Sequence, residues 1–147
     1  MNILEVIEQT IFEAVINIMN NTDEKLESIG IAIPGTVGKI NKCVNLGIKN
    51  YNIVDKLNDK FIQYADENKK REKFENLPVR IKLQNDAKCA AIAENEYGVL
   101  KEYGSSIFLT LGTGIGGAAI LNGKLLEGKT FSGYEFGHMT ININGEQ

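Results

Sequence analysis

Asp86 is the residue of this chain that its neighbours best equip to take a proton. It follows the apolar run Val79 to Leu83 and opens Ala87 to Tyr97, a stretch of good helix formers, so it stands where a strand hands over to a helix N-terminus. A carboxylate fixed there can take the proton of a hydroxyl within hydrogen-bond reach and turn it into a nucleophile. Asn85, beside it, carries both donor and acceptor and suits a second hydroxyl. Further along, the cluster Gly112-Thr113-Gly114-Ile115-Gly116-Gly117 follows another apolar run. The backbone N–H groups of Gly112, Thr113 and Gly114 can form a nest for phosphate oxygens, with the Thr113 hydroxyl as an extra donor. Glu135 can accept from hydroxyls, and His138, the single histidine, lies three positions on. Each feature has a plainer reading: Asn-Asp before a helix is a cap, glycine after a strand is a turn, and a lone histidine is structural. The ordered set Pro34-Gly35-Thr36-Val37, Asn45-Leu46-Gly47, Asn85-Asp86-Ala87, Gly112 to Gly117 and Glu135-Phe136-Gly137-His138 is harder to attribute to chance.

Two formal motif matches fail on their surroundings. Gly112 to Gly117 fits G-x-G-x-x-G, with Glu135 near the spacing of a ribose-binding acid. A dinucleotide site needs a helix to open on those glycines, and only Ala118 to Leu121 separate them from an Asn-Gly turn. Gly123-Lys124-Leu125-Leu126-Glu127-Gly128-Lys129-Thr130 fits G-x-x-x-x-G-K-[ST]. Such a loop needs a following helix, whereas Gly133 and Gly137 interrupt what comes next. Glu127 would also put a negative charge inside the phosphate cradle. The bland alternative is a hairpin strand ending in a polar loop.

The scaffold that must hold these residues reads as alternating helix and strand. Leu4, Ile7, Ile11, Ala14 and Ile18 recur at helical spacing and predict an amphipathic helix over Asn2 to Met19. Ser28 to Ile33 is a short β-branched run closed by Pro34-Gly35, a strand ending in a turn. Asn52 caps a helix running through Leu57, Phe61 and Tyr64, and the charged stretch Glu67 to Glu75 reads as a solvated helix end or loop. A strand over Val79 to Leu83 leads to the helix Ala87 to Tyr97, stopped by Gly98. Lys101 to Ser105 is the expected lobe boundary, and Ile107 to Leu111 a further strand. Ala118 to Leu121 and Lys124 to Leu126 flank Asn122-Gly123, the pair that favours a type I′ hairpin. The fold class is α/β.

Composition narrows the partners. The 147 residues are 43% hydrophobic and 24% charged, ordinary for a globular protein that buries roughly 70% of its unfolded surface. A net charge of −3 argues against nucleic acid or an anionic membrane as the main partner. Glu5, Glu8 and Glu13 exclude a signal peptide over the first helix, and no run approaches the ~20 apolar residues of a membrane span. A cytoplasmic location follows as an expectation. Cys43 and Cys89 form no CxxC and suit buried reduced thiols.

The whole set resembles the ROK family (repressors, open reading frames, kinases), sugar kinases of the actin and hexokinase superfamily. Leu83-Gln84-Asn85-Asp86-Ala87 with Ala90-Ala91-Ile92-Ala93-Glu94 is similar to that family's stretch around its catalytic aspartate. Leu109 to Gly117 is similar to its second phosphate motif, and Glu135-x-Gly137-His138 to its sugar-binding signature. The resemblance implies a partial two-lobed actin/hexokinase-like (ribonuclease H-like) fold, with a first lobe over 1-104 and the start of a second over 105-147. It implies transfer of the γ-phosphoryl of ATP, with Mg2+, to a hexose, glucose by default. Asp86 would be the base, and Gly112, Thr113, Gly114, Gly116 and Gly117 would hold phosphate. Gly35, Asn85, Glu135 and His138 would hold the sugar, with Asn45 a weaker candidate. Family kinases open with a strand and an Asp-x-Gly-Gly-Thr phosphate loop and carry a Cys-x-Cys-Gly-x-x-Gly-Cys zinc motif after the histidine; neither is present here. The chain is therefore expected to be a fragment, inactive alone and with exposed apolar surface. Zn2+ at His138 is expected only in a complete relative, which is expected to be a homodimer. Two rivals stay open: a sugar-sensing transcriptional regulator and a non-catalytic remnant.

Overall fold

The computed structural model describes residues 3–37, 41–43, 48–129, 133–134 and 136–139. The helical spacing of the N-terminal apolar residues builds α1 (Ile3–Asn20), and the β-branched run after it builds β1 (Ser28–Ile33). β2 (Asn41–Cys43) and β3 (Ile48–Tyr51) pair antiparallel. They precede α2 (Ile53–Glu67), a 3-10 turn over Arg71–Lys73, and β4 (Arg80–Asn85), which pairs with β1. Then come α3 (Asp86–Tyr97), β5 (Ser105–Leu111), β6 (Ile115–Leu121), β7 (Lys124–Leu125) and a last 3-10 turn over Phe136–His138. By packing, the chain divides into two units, Met1–Ile31 with Ile40–Leu83, and Ala32–Lys39 with Gln84–Gln147.

In the first unit, α2 supplies the core. Asn52 caps it by accepting from the Asp55 N–H at 3.3 Å, as its sequence predicts. Ile53, Leu57, Phe61 and Ala65 then recur every fourth residue on its buried face, beside Met19, Phe74 and Val79. Phe61 packs at a tilt against Phe12 and Phe74, at centroid distances of 5.4 and 6.1 Å. The buried Asn58 side chain pairs both ways with the Val79 backbone, accepting at 2.7 Å and donating at 3.2 Å, so neither polar group is orphaned. Phe74 corrects one expectation: the charged stretch Glu67 to Glu75 is not wholly solvated, because this one aromatic ring inserts into the core.

In the second unit, α3 lies on the antiparallel sheet β5-β6-β7. Ala91, Ala118 and Ile120 form the buried contact, with Phe108 and Leu125 at its margin. β6 begins at Ile115, three residues before the expected Ala118, so Gly116 and Gly117 are strand residues and not a loop. Asn122 and Gly123 have φ of +50° and +71°, the type I′ geometry that Asn-Gly predicts. The other side of β5 carries Ile107, Leu109 and Leu111, which are 63%, 52% and 81% exposed, so the expected exposed apolar surface is present.

Candidate functional site

The second unit assembles most of the predicted residues around the first turn of α3. Asn85 is its N-cap: Oδ1 accepts from the Lys88 N–H at 3.1 Å. Asp86 is therefore the first helical residue and not the cap. Its Oδ1 accepts from the Ala87 N–H at 2.9 Å, and the carboxylate is exposed, so it can meet a ligand from solvent. The Asn85 amide also donates from Nδ2 to the Gly35 carbonyl at 3.1 Å. Those two bonds use one hydrogen and one lone pair, so the amide can still make a second bond of each kind. Gly35 has φ of +96°, a conformation that glycine adopts without a Cβ clash.

On the other side, β6 lies flush against the same turn. A Cβ on Gly116 would stand 3.2 Å from Ala87 Cβ and 2.6 Å from Thr110 Oγ1. One on Gly117 would stand 2.6 Å from the Phe108 carbonyl and 2.9 Å from the Phe136 ring, and one on Gly137 2.0 Å from the Ile115 carbonyl. The absent side chains thus let α3, the glycine strand and the turn carrying the exposed His138 touch. Gly35, Asn85, Asp86, Gly116, Gly117 and the Phe136–His138 turn form one connected set.

Gly112, Thr113 and Gly114 make the tip of the β5–β6 hairpin, and a Cβ on Gly112 or Gly114 would meet nothing within 4 Å. The Gly112 N–H donates to the Gly114 carbonyl at 2.9 Å, so of the three N–H groups expected to meet phosphate this one is already engaged. Glu135 and Asn45 lie outside the described residues. Cys89 is a free, half-buried thiol, and burial, then the Asp86 charge, pushes its pKa up, which keeps it protonated and unreactive. Two residues that sequence reasoning did not select also border the site. Gln84 accepts from the Asn85 N–H at 2.8 Å and donates to Glu127 Oε1 at 2.8 Å. The one hint of Glu127 was the negative charge that spoiled the false P-loop.

Among the described residues, no group of three His, Cys, Asp or Glu side chains could hold a metal ion, so they do not supply a zinc site at His138. No helix among them is long and apolar enough to cross a membrane.

The fold and this corner define an α/β protein carrying part of the actin/hexokinase-like fold. A ROK family glucokinase from Streptomyces griseus, solved with glucose and AMPPNP, superposes with a TM-score of 0.71 at 26% identity, over 94% of this chain and 40% of that one. The chain belongs to the ROK family, whose model matches residues 2–147. The xylose repressor of Bacillus spizizenii is 39% identical over 121 residues, 82% of this chain and 28% of the repressor. The N-acetyl-D-glucosamine kinase of Haemophilus influenzae is 30% identical over 134 residues, 88% of this chain and 40% of the kinase. The chain thus spans well under half the length of these relatives, which include both kinases and repressors.

Proposed function

We propose that this chain forms the base-bearing and sugar-holding part of an ATP-dependent hexose kinase, with glucose the default sugar and a cytoplasmic, homodimeric protein the setting. The observation that carries the reading is the placement of the exposed Asp86 carboxylate between Asn85, tied to Gly35, and Ala87, against Gly116. A sugar hydroxyl held by the free capacity of Asn85 would lie within reach of Asp86. Its oxygen attacks the γ-phosphorus of ATP, its proton passes to Asp86, and the bond from the γ-phosphorus to the β-γ bridging oxygen breaks to release ADP. Such transfer rests on positioning and on stabilisation of charge. Thr113 and Gly114 at the hairpin tip, then Gly112, Gly116 and Gly117 along the same run, are the candidate phosphate contacts. Glu135 and His138 complete the proposed sugar contacts, and Asn45 is a further candidate. Mg2+ enters with the nucleotide and neutralises phosphate charge. A two-lobe division at 104/105 belongs to the same proposal.

The test mixes the protein carrying this chain with MgATP and glucose, fructose, mannose, N-acetylmannosamine or allose, and follows ADP. Sugar-dependent ADP supports the kinase. One observation supports a second reading, a sugar-sensing regulator: the Bacillus spizizenii xylose repressor is 39% identical over 82% of this chain, the Haemophilus influenzae kinase 30% over 88%. That reading expects sugar binding with no ADP formed. Absence of both binding and turnover would sink both readings.

A further inference from the structure

Asn85 is held from three directions, and the third involves no residue of the proposed chemistry. Its side chain is fixed by the Lys88 N–H and the Gly35 carbonyl, and its own N–H donates to Gln84 Oε1 at 2.8 Å. A backbone N–H can only donate, so the Gln84 amide must turn its oxygen toward Asn85 and its nitrogen away. That nitrogen meets Glu127 Oε1 at 2.8 Å. An ionised carboxylate only accepts, which matches the Gln84 N–H₂, so the orientation is consistent from end to end. Both side chains are half-buried, where a misdirected amide would leave polar groups unpaired.

Glu127 is itself anchored. Its carbonyl accepts from the Gly133 N–H at 3.0 Å, and a Cβ on Gly133 would sit 2.8 Å from that carbonyl oxygen. Just before it, the Leu126 N–H donates to the Ala119 carbonyl of β6 at 2.9 Å. Just after it, Gly128 turns the chain at φ +69°. A group that orients another must first be held in place, and Glu127 is fixed on both sides of its own backbone.

We infer that Gln84 and Glu127 are a positioning pair for the sugar-facing corner: the carboxylate of Glu127, acting through the Gln84 amide, sets the backbone of Asn85 and with it the direction of the Asp86 carboxylate. Neither residue touches the sugar. The inference rests on the sugar-kinase reading for its consequence and on hydrogen bonds alone for its mechanism.

The experiment uses two readouts on the same variants, backbone amide exchange at Asn85 and KM or Kd for the sugar found in the panel. Glu127→Met keeps the volume and removes the acceptor. It is expected to speed Asn85 exchange and raise the sugar constant, each by roughly tenfold, the size of one lost charge-assisted hydrogen bond. The constant for ATP is expected to hold. Glu127→Gln can still present an oxygen to the Gln84 amide and is expected to stay near wild type. If Glu127→Met fails to fold, Gln84→Glu sets two carboxylates against each other, and adding Glu127→Gln restores a donor–acceptor pair of reversed polarity. The single variant should be impaired and the double variant rescued. A folded Glu127→Met with wild-type exchange at Asn85 and wild-type sugar binding overturns the proposal, as does a double variant no better than Gln84→Glu. Should the wild type bind no sugar, the functional reading fails, while Asn85 exchange still decides whether the pair positions that backbone.

Discussion

At the scale of single residues, the corner separates two roles that share one helix terminus. Asn85 caps α3 through Lys88, so Asp86 is free of that duty, and substitution should split the two cleanly. Asp86→Asn preserves size and can still accept from the Ala87 N–H. In the full-length protein it should leave the melting temperature nearly unchanged, lower turnover roughly a hundredfold to ten-thousandfold, and alter sugar affinity little. Near-normal turnover in that variant would leave Asp86 with a structural role and make Glu135 the next base to test. Asn85→Ala should behave in the opposite way. It removes the cap and the bond to Gly35 together and should cost roughly 1 kcal/mol or more of stability by urea melt, with weaker sugar binding. Both residues were legible in the sequence, because a strand-to-helix handover with Asn-Asp at the junction is a local pattern. Gln84 and Glu127 were not, since they lie far apart in the chain and only tertiary packing brings them together.

At the scale of elements, long periodic segments were legible and glycine strands were not. α1 and α3 fall within a residue of their predicted limits and α2 starts where predicted but runs three residues past Tyr64, because helical spacing and a capping residue are signals carried within each segment. β2 and β3 escaped: three or four residues with little alternation give no period to read. β6 was read too short because glycine has poor strand propensity, whereas here it serves close contact. A stability contrast follows. Gly117→Ala drives a methyl against the Phe108 carbonyl at 2.6 Å and should cost roughly 1–3 kcal/mol, while Gly112→Ala meets open space and should be near neutral. Equal melting temperatures for the two variants would refute this account of the strand. The junction of α1, β3 and α2 gives a pH signature. Glu8 is buried, accepts from the Tyr51 hydroxyl and pairs with Lys60 at 3.2 Å. Burial pushes its carboxyl up, but the Tyr51 hydrogen bond and then Lys60 outweigh that, and the net direction is down from 4.5. Its contribution is therefore complete above that value and lost as pH falls through the folded pKa. Burial, then Glu8, pushes Tyr51 up from 10.0 to about 12, so its contribution holds below 10 and is lost as pH rises toward 12. Glu8→Gln should flatten the acid limb of melting temperature against pH and reduce the alkaline one, where burial remains, and limbs of unchanged steepness would remove Glu8 from the account.

At the scale of the whole molecule, the balance of charge and apolar surface decides how this chain behaves in solution. On β5, Ile107, Leu109 and Leu111 share one face, and Ile115 joins them across the hairpin as the partner of Leu111. All four are at least half exposed, and contiguous apolar faces of that kind favour association. The net charge of −3 gives only weak repulsion to oppose it. The four side chains are 51–81% exposed, so covering them recovers only part of a full transfer energy, against an association cost of about 4–15 kcal/mol. The expected behaviour is weak, concentration-dependent self-association of the isolated chain, seen as a rising weight-average mass in sedimentation equilibrium. Leu109→Lys with Leu111→Lys should remove it. The melting temperature should hold, because neither side chain belongs to the Ala91, Ala118 and Ile120 core or its margin. A mass that stays constant with concentration in the wild type, or association that survives both lysines, would show that this face does not drive contact between copies.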